Sequence, residues 1–231
     1  MVDVKLYLGD CIDIMRDMAD KSVDAVITDP PYGINYQSAW RIDKNSRFPT
    51  IAGDVSLDFV WLAEAYRITK DNGCIFCFCR WDTEREFQTA ITDVGFDLQS
   101  QVIWDRGVHG LGDLKRQFAP MHDNALFATK GMFSFPLHRP KSVYRIDRLS
   151  ADKLEHPTQK PTGLMQRILL DVTATNHIAL DPFMGSGTTG VACVQTGRNF
   201  IGVEIDPTYY TIAERRIHDA QQQMPLFEVE Q

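Results

Sequence analysis

Three glycines between an apolar run and a helix-forming run constrain this chain more than any other feature. His177-Ile-Ala-Leu180 reads as a short buried strand, Gly185-Ser-Gly187-Thr-Thr-Gly190 follows Asp181-Pro-Phe-Met184, and a helix runs from Thr188 toward Gln195. Asn199 to Ile205 is the next strand, with Glu204 near its tip, nineteen positions after Gly185. A strand, a glycine turn, a helix and a second strand make a right-handed βαβ unit, which needs a parallel sheet covered on both faces.

The rest of the chain repeats that alternation. Val4–Leu8, Val23–Thr28, Cys74–Cys79, Leu98–Trp104 and Asn124–Thr129 read as strands. Helical periodicity appears from Cys11 (Ile12, Met15, Met18), after Asp58 (Phe59, Leu62, Ala63, Tyr66), over Phe87–Val94 and from Pro161 or Thr162 (Met165, Ile168, Leu169, Val172). A last helix follows Asp206-Pro207 and decays into Gln221-Gln222-Gln223. The fold class is α/β, a doubly wound, mostly parallel sheet. Cys74-x-x-Cys77 has metal-ligand spacing, but on a strand Cys74 points away from Cys77 and Cys79, so a buried strand and no metal site is expected.

A second motif ends the Val23–Thr28 strand: Asp29-Pro30-Pro31-Tyr32-Gly33. It holds one carboxylate, one carbonyl between two prolines that lack N–H donors, and one aromatic ring. Such a group suits a flat, weakly nucleophilic amine, its two N–H groups donating to Asp29 and the Pro30 carbonyl while Tyr32 stacks on the ring. A plain strand-ending turn is the other reading. Ile34 to Thr50, with Trp40 and Arg41, reads either as a loop beside the site that contacts nucleic acid or as ordinary surface.

Charge and ligand class narrow the choice. The chain carries −7 overall, yet Arg106 to Lys160 has ten Lys/Arg against five Asp/Glu, a net +5 that leaves −12 for the rest. Arg139, Lys141, Arg145 and Arg148 lie among Phe133, Phe135 and Tyr144, which fits phosphate contact with base stacking, or a solvated basic face. The glycine loop with Glu204 is compatible with NAD and hence with a dehydrogenase. Asp181, directly before the turn, would repel a pyrophosphate and attract an ammonium or sulfonium. A nucleoside with a cationic amino-acid tail, as in S-adenosylmethionine, fits that pattern better.

Together, Asp29-Pro-Pro-Tyr32, His156-Pro-Thr-Gln-Lys-Pro161 and Asp181-Pro-Phe-Met-Gly-Ser-Gly-Thr-Thr189, in that order, resemble the beta group of DNA amino-methyltransferases, from about Lys5 to about Arg216. The resemblance implies a seven-stranded, Rossmann-like methyltransferase sheet in one domain over 1–231. Residues 1–130 would form its catalytic half, 131–156 a short basic, irregular target-recognition insertion, 157–217 the cofactor half and 218–231 a flexible tail. It implies Asp29, Pro30, Pro31 and Tyr32 as catalytic residues. Asp181, Phe183, Gly185, Ser186, Gly187, Thr188 and Thr189 would hold the methionine end of S-adenosylmethionine, Glu204 its ribose, and Asp10 would lie near its adenine. Thr158 and Lys160 would close that pocket, and His156 would be a loop anchor rather than a base.

The implied reaction is methyl transfer to the N6 amine of adenine in double-stranded DNA after base flipping, with cytosine N4 as the close alternative. Dimers are common in such a family, and a restriction partner is open. Gln223-Met-Pro-Leu-Phe227 resembles the peptide by which bacterial replication proteins bind the sliding clamp; docking of Leu226 and Phe227 on their own domain is the competing reading. The absence of a long apolar run or a leader pattern, with five cysteines mostly in apolar runs, leads to an expectation of a cytoplasmic protein of a bacterium or a phage-infected cell, with no membrane span.

Overall fold

The computed structural model describes residues 2–33, 57–110, 115–150 and 159–223. Fourteen elements follow one another: β1 (Val4–Leu8), α1 (Cys11–Arg16), β2 (Val23–Thr28), α2 (Trp61–Ile68), β3 (Thr69–Cys79), α3 (Glu84–Asp93), β4 (Asp97–Asp105), β5 (His122–Thr129), β6 (Val143–Arg145), α4 (Thr162–Val172), β7 (Ile178–Asp181), α5 (Thr188–Thr196), β8 (Asn199–Glu204) and α6 (Pro207–Gln223). The strands form one sheet in the order β1-β8-β7-β2-β3-β5-β4-β6. Pairing is parallel except on the two sides of β5, so β5 alone runs against the rest.

That order contains a reversal. From β2 the chain crosses outward to β3, and from β7 it crosses outward the other way to β8. Between β2 and β7, joined by the register Ala25↔Ala179 and Val26↔Leu180, lies the switch point of the sheet. Ligand crevices of open α/β sheets form at such points, beyond the carboxyl ends of the strands.

Each face of the sheet carries three helices. On one face Ile27, Phe76, Phe78, Ala179 and Phe200 pack with residues of α4, α5 and α6; on the other Val26, Ile75, Leu180 and Val203 pack with residues of α1, α2 and α3. Burying each of the large side chains in these layers stabilises the fold by about 1.5–3 kcal/mol. Strand alternation divides the cysteines as expected: Cys74 belongs to the first layer, Cys77 and Cys79 to the second, and all five cysteines are buried free thiols. Among the described residues no three His, Cys, Asp or Glu side chains group as a metal site, and no helix is long and apolar enough to cross a membrane.

Four local expectations are corrected. The segment expected to be irregular holds a strand, Val143–Arg145, which adds to the free edge of β4 as the eighth strand of the sheet. Its Tyr144 is buried and donates a hydrogen bond to Asp171 at 2.9 Å, while Phe133 and Phe135 stack around Phe127 at 5.3 and 5.5 Å. Tyr144 is thus part of the core, and Phe133 and Phe135 are partly buried against it. Helix α2 buries Trp61, Leu62, Ala65 and Ile68 and leaves Ala63 exposed, a face rotated from the expected one. The last helix continues six residues into the expected tail, since Tyr209, Ala213, Ile217 and Ala220 make one buried stripe.

Candidate active site

The two motifs about 150 positions apart in the sequence end adjacent strands. Asp29 lies just past β2 and Asp181 closes β7, so both carboxylates stand at the switch point of the sheet. Prolines 30 and 31 stop β2 there because neither can donate to a ladder, and Gly33 turns the chain away with φ +70°.

Asp29 is gripped from two directions. Its Oδ1 accepts a hydrogen bond from the Tyr32 hydroxyl, and its Oδ2 accepts one from Lys160 Nζ at 2.5 Å. The Lys160 ammonium also lies 4.7 Å from the centre of the Phe78 ring, a cation–π contact. Side-chain exposures of 20% for Asp29 and 11% for Lys160 make this a partly desolvated ion pair at the crevice. Burial, with Asp29 next to it, pushes the Tyr32 phenol well above its usual value, so Tyr32 stays a neutral donor. Its ring meets Phe87 edge-on at 6.4 Å, and Phe87 in turn meets Phe59 at 4.9 Å, which fixes the plane of the tyrosine from α3 and from the chain before α2.

Asp181 is deeper. It is 4% exposed and accepts hydrogen bonds from Thr189 Oγ1 at 2.6 Å and from the Phe183 N–H at 3.2 Å. Burial outweighs these bonds and pushes its carboxyl up to about 7, with the Asp29 charge adding to the rise. A carboxylate held at that cost is a ready partner for a cation. Glu204, at the tip of β8, accepts from the backbone N–H groups of Gly185 and Asp206, both at 2.9 Å, and burial raises its pKa as well.

The glycine loop between them is shaped by close packing. Gly187 has φ +76°, and a Cβ there would come 2.8 Å from Ala213 of α6. A Cβ on Gly190 would meet Ile217 at 2.4 Å and the Phe200 ring at 2.6 Å, so this glycine lets α5 lie against β8 and α6. Arg216 of α6 donates to the Ser186 carbonyl and to the hydroxyls of Ser186 and Thr188. Ser186, Thr188 and Thr189, all buried, thus use their hydroxyls to hold the turn. Phe183 packs edge-on against Trp61 at 5.2 Å, and Asp10 caps α1 through the Ile12 N–H at 2.8 Å, beside the β1–β8 pair that ends at Leu8↔Glu204.

Most of the sequence-derived residues therefore converge on one strip of the sheet's carboxyl edge: Asp10, Glu204, the glycine loop, Asp181, Asp29 and Tyr32. Lys160, expected to close the cofactor pocket, bonds Asp29. No periodicity or motif spacing announces that pair, because its members are 131 positions apart. Trp40, Arg41, His156, Thr158 and Met224–Phe227 lie outside the described residues. Of the four described basic residues assigned to nucleic acid, Arg145 ends β6 at the same edge as the site and faces Asp105 at 3.7 Å, and Arg148 follows it. Arg139 and Lys141 precede β6 and are exposed.

Comparison with known proteins gives a consistent picture. A family model described as DNA methylase matches residues 23–215. The Type II methyltransferase M2.MboI of Moraxella bovis is 29% identical over 243 residues, covering 93% of this chain and 87% of its own length. The crystal structure of the M1.HpyAVI–SAM complex superposes with a TM-score of 0.73 at 29% identity, over 93% of this chain and 98% of its own. The PvuII DNA methyltransferase, described as cytosine-N4-specific, shares the fold with a TM-score of 0.74 at 16% identity, over 96% of this chain and 92% of its own.

Proposed function

Because the chain belongs to this family of DNA methylases, which act on N6 or N4 amines, we propose that it transfers a methyl group from S-adenosylmethionine to the N6 amine of adenine in double-stranded DNA. The observation that carries the reading is the adjacency of Asp29, held by Tyr32 and Lys160, to the desolvated Asp181 at the switch point.

The residues present fit the cofactor. Asp181 relieves its burial by pairing with a cation, the tight Gly187–Gly190 turn brings backbone rather than side chains to the crevice, and Glu204 stands where a ribose diol would be gripped. Bound there, S-adenosylmethionine supplies an electrophilic methyl on a sulfonium. Phe183, packed on Trp61, supplies an apolar wall.

The exocyclic amine of adenine is a poor nucleophile, because its lone pair is delocalised into the ring. Hydrogen bonds from its two hydrogens to Asp29 and the Pro30 carbonyl favour a more tetrahedral nitrogen with a localised pair. As that nitrogen becomes positive, the Asp29 carboxylate stabilises it, a contribution made mostly in the transition state. Removing one such preorganised partner costs on the order of 100- to 1,000-fold in rate. Lys160 holds Asp29 in orientation in the resting protein and has to yield as the amine arrives. A paired base cannot reach this crevice, so the target is swung out of the duplex, and Tyr32 stacks on it. Asp at the head of the Asp-Pro-Pro-Tyr motif favours adenine by family resemblance; the shared fold with a cytosine-N4 enzyme keeps that amine as the second reading.

The test is incubation of the protein with methyl-labelled S-adenosylmethionine and duplex DNA, followed by nucleoside analysis. Label in N6-methyladenine supports the proposal, label in N4-methylcytosine selects the second reading, and no label in DNA removes both.

A further inference from the structure

Beyond the crevice, the most exposed aromatic residue on the described surface lies on the same edge of the sheet. Phe118, in the connection from β4 to β5, is 101% exposed, more than any other large hydrophobic side chain there. At full exposure the ring takes no part in the core of this protein.

Its base is firmly built. Past the last ladder pair, Asp105↔His122, the Arg106 N–H donates to the Met121 carbonyl at 3.0 Å and the Gly110 N–H to the Pro120 carbonyl at 2.7 Å. The Arg106 guanidinium fills the inside of the connection, donating to the Pro120 carbonyl at 2.7 Å and facing Asp123 at 3.5 Å. Phe118 is four residues beyond His122, so its backbone stands up to roughly 13 Å outside the sheet. β4 and β5 are the third and second strands from β2, which sets the ring roughly 10–14 Å to the side of Asp29 at ~4.8 Å per strand.

The surroundings select DNA as what the ring meets. Lys115 and Arg116 are exposed three and two positions before it, and Arg145 projects at 84% side-chain exposure from β6, next to β4. Of the carboxylates nearby, Asp105 and Asp123 are each turned toward an arginine, while exposed Asp147 lies against Gly107. The connection also lies at the same carboxyl edge of the sheet as the crevice that takes the target base.

We propose that Phe118 is a wedge, entering the base stack where the target nucleotide has left it and holding the duplex open while the base occupies the crevice at Asp29. This rests on the DNA-methylating reading above. It also extends the DNA contact beyond residues 131–156, where Tyr144 is buried and Phe133 and Phe135 are partly buried, to the β4–β5 connection. Phe118 is a positioning residue: it touches neither the reacting amine nor the methyl group.

Full-length Phe118→Ala tests it, and the full exposure of the ring makes the substitution harmless to folding. The variant is compared with wild type on a mapped target duplex and on the same duplex with a mismatch opposite the target. Losing the stacking lowers kcat/KM on the paired duplex between about 5- and 150-fold. On the mismatched duplex, where extrusion is already easy, the loss falls below about 3-fold, and Phe118→Trp retains most activity on both. 2-Aminopurine at the target position brightens on binding wild type and stays dim with Phe118→Ala. Equal losses on both duplexes, or paired-duplex turnover within 2-fold of wild type, overturn the wedge alone. An unchanged turnover with an altered oligomeric state assigns the ring to a protein contact and overturns it equally. Wild type that methylates no DNA removes the underlying reading as well.

Discussion

Asp181→Asn separates stability from function in a way that can be worked out beforehand. The carboxyl has an ordinary value of 3.8, which serves for the unfolded chain, and is pushed up to about 7 in the fold by burial. A raised folded-state value means that the native protein binds the proton more tightly. Its contribution to stability is therefore complete below pH 3.8 and lost as the pH rises through about 7. The whole effect is about 4 kcal/mol, of which about 2 kcal/mol is lost between pH 5.5 and pH 8.

Asparagine has nearly the same shape, still accepts from the Phe183 N–H and can donate to Thr189 Oγ1, but it carries no charge to desolvate. Thermal unfolding of both proteins across this range should give curves that diverge. At pH 8 Asp181→Asn gains about 2 kcal/mol on wild type relative to pH 5.5, or about 4–8 °C in Tm for a chain of this size. Saturating S-adenosylmethionine reverses the order. At a hundredfold excess over Kd it stabilises wild type by about 2.7 kcal/mol and the variant by far less. Parallel pH curves, or equal stabilisation by the cofactor, would refute the assignment of a strained carboxylate relieved by a cation.

Three further outcomes follow from the geometry. Lys160→Met, which leaves Asp29 with Tyr32 alone, should lower kcat more than it raises KM for the cofactor, because the contact of Lys160 is to Asp29; steady-state kinetics showing mainly a cofactor KM effect would return Lys160 to the pocket role expected from the motif. Gly190→Ala should cost about 1–3 kcal/mol in urea unfolding, since the new Cβ would lie 2.4 Å from Ile217 and 2.6 Å from the Phe200 ring. Tyr144→Phe should destabilise by about 1–3 kcal/mol, as it removes the hydrogen bond to buried Asp171 while leaving DNA binding intact; weakened DNA binding at unchanged stability would place the ring at the interface after all.

Much of this architecture is legible in the sequence, for physical reasons. Strands such as Val23–Thr28 and Cys74–Cys79 are unbroken apolar runs, and parallel strands buried on both faces have no other composition. The Gly185–Gly190 loop is legible because no other residue tolerates the backbone of Gly187 or the approach of Phe200 to Gly190. What escapes is whatever depends on long-range partners. β6 is three residues long and exists by pairing with β4, so no periodicity marks it. Phe133, Phe135 and Tyr144 look like a base-stacking set among arginines, and only the position of Phe127 and Asp171 shows that Tyr144 is core and the two phenylalanines pack against it. The ion pair of Lys160 with Asp29 belongs to the same class, as does the rotated face of α2, where Trp61 is drawn in by Phe183 of the glycine turn.

The claim that Asp29 and Asp181 serve two halves of one pocket is tested most directly by Asp29→Ala, followed in parallel by cofactor-induced thermal shift and by mass spectrometry of nucleosides from treated DNA. The account predicts a cofactor shift within about 1 °C of wild type, which is under 0.5 kcal/mol for a chain of this size, and methylation of adenine reduced at least 100-fold. Wild-type levels of N6-methyladenine from that variant, or a cofactor shift lost together with turnover, would contradict it.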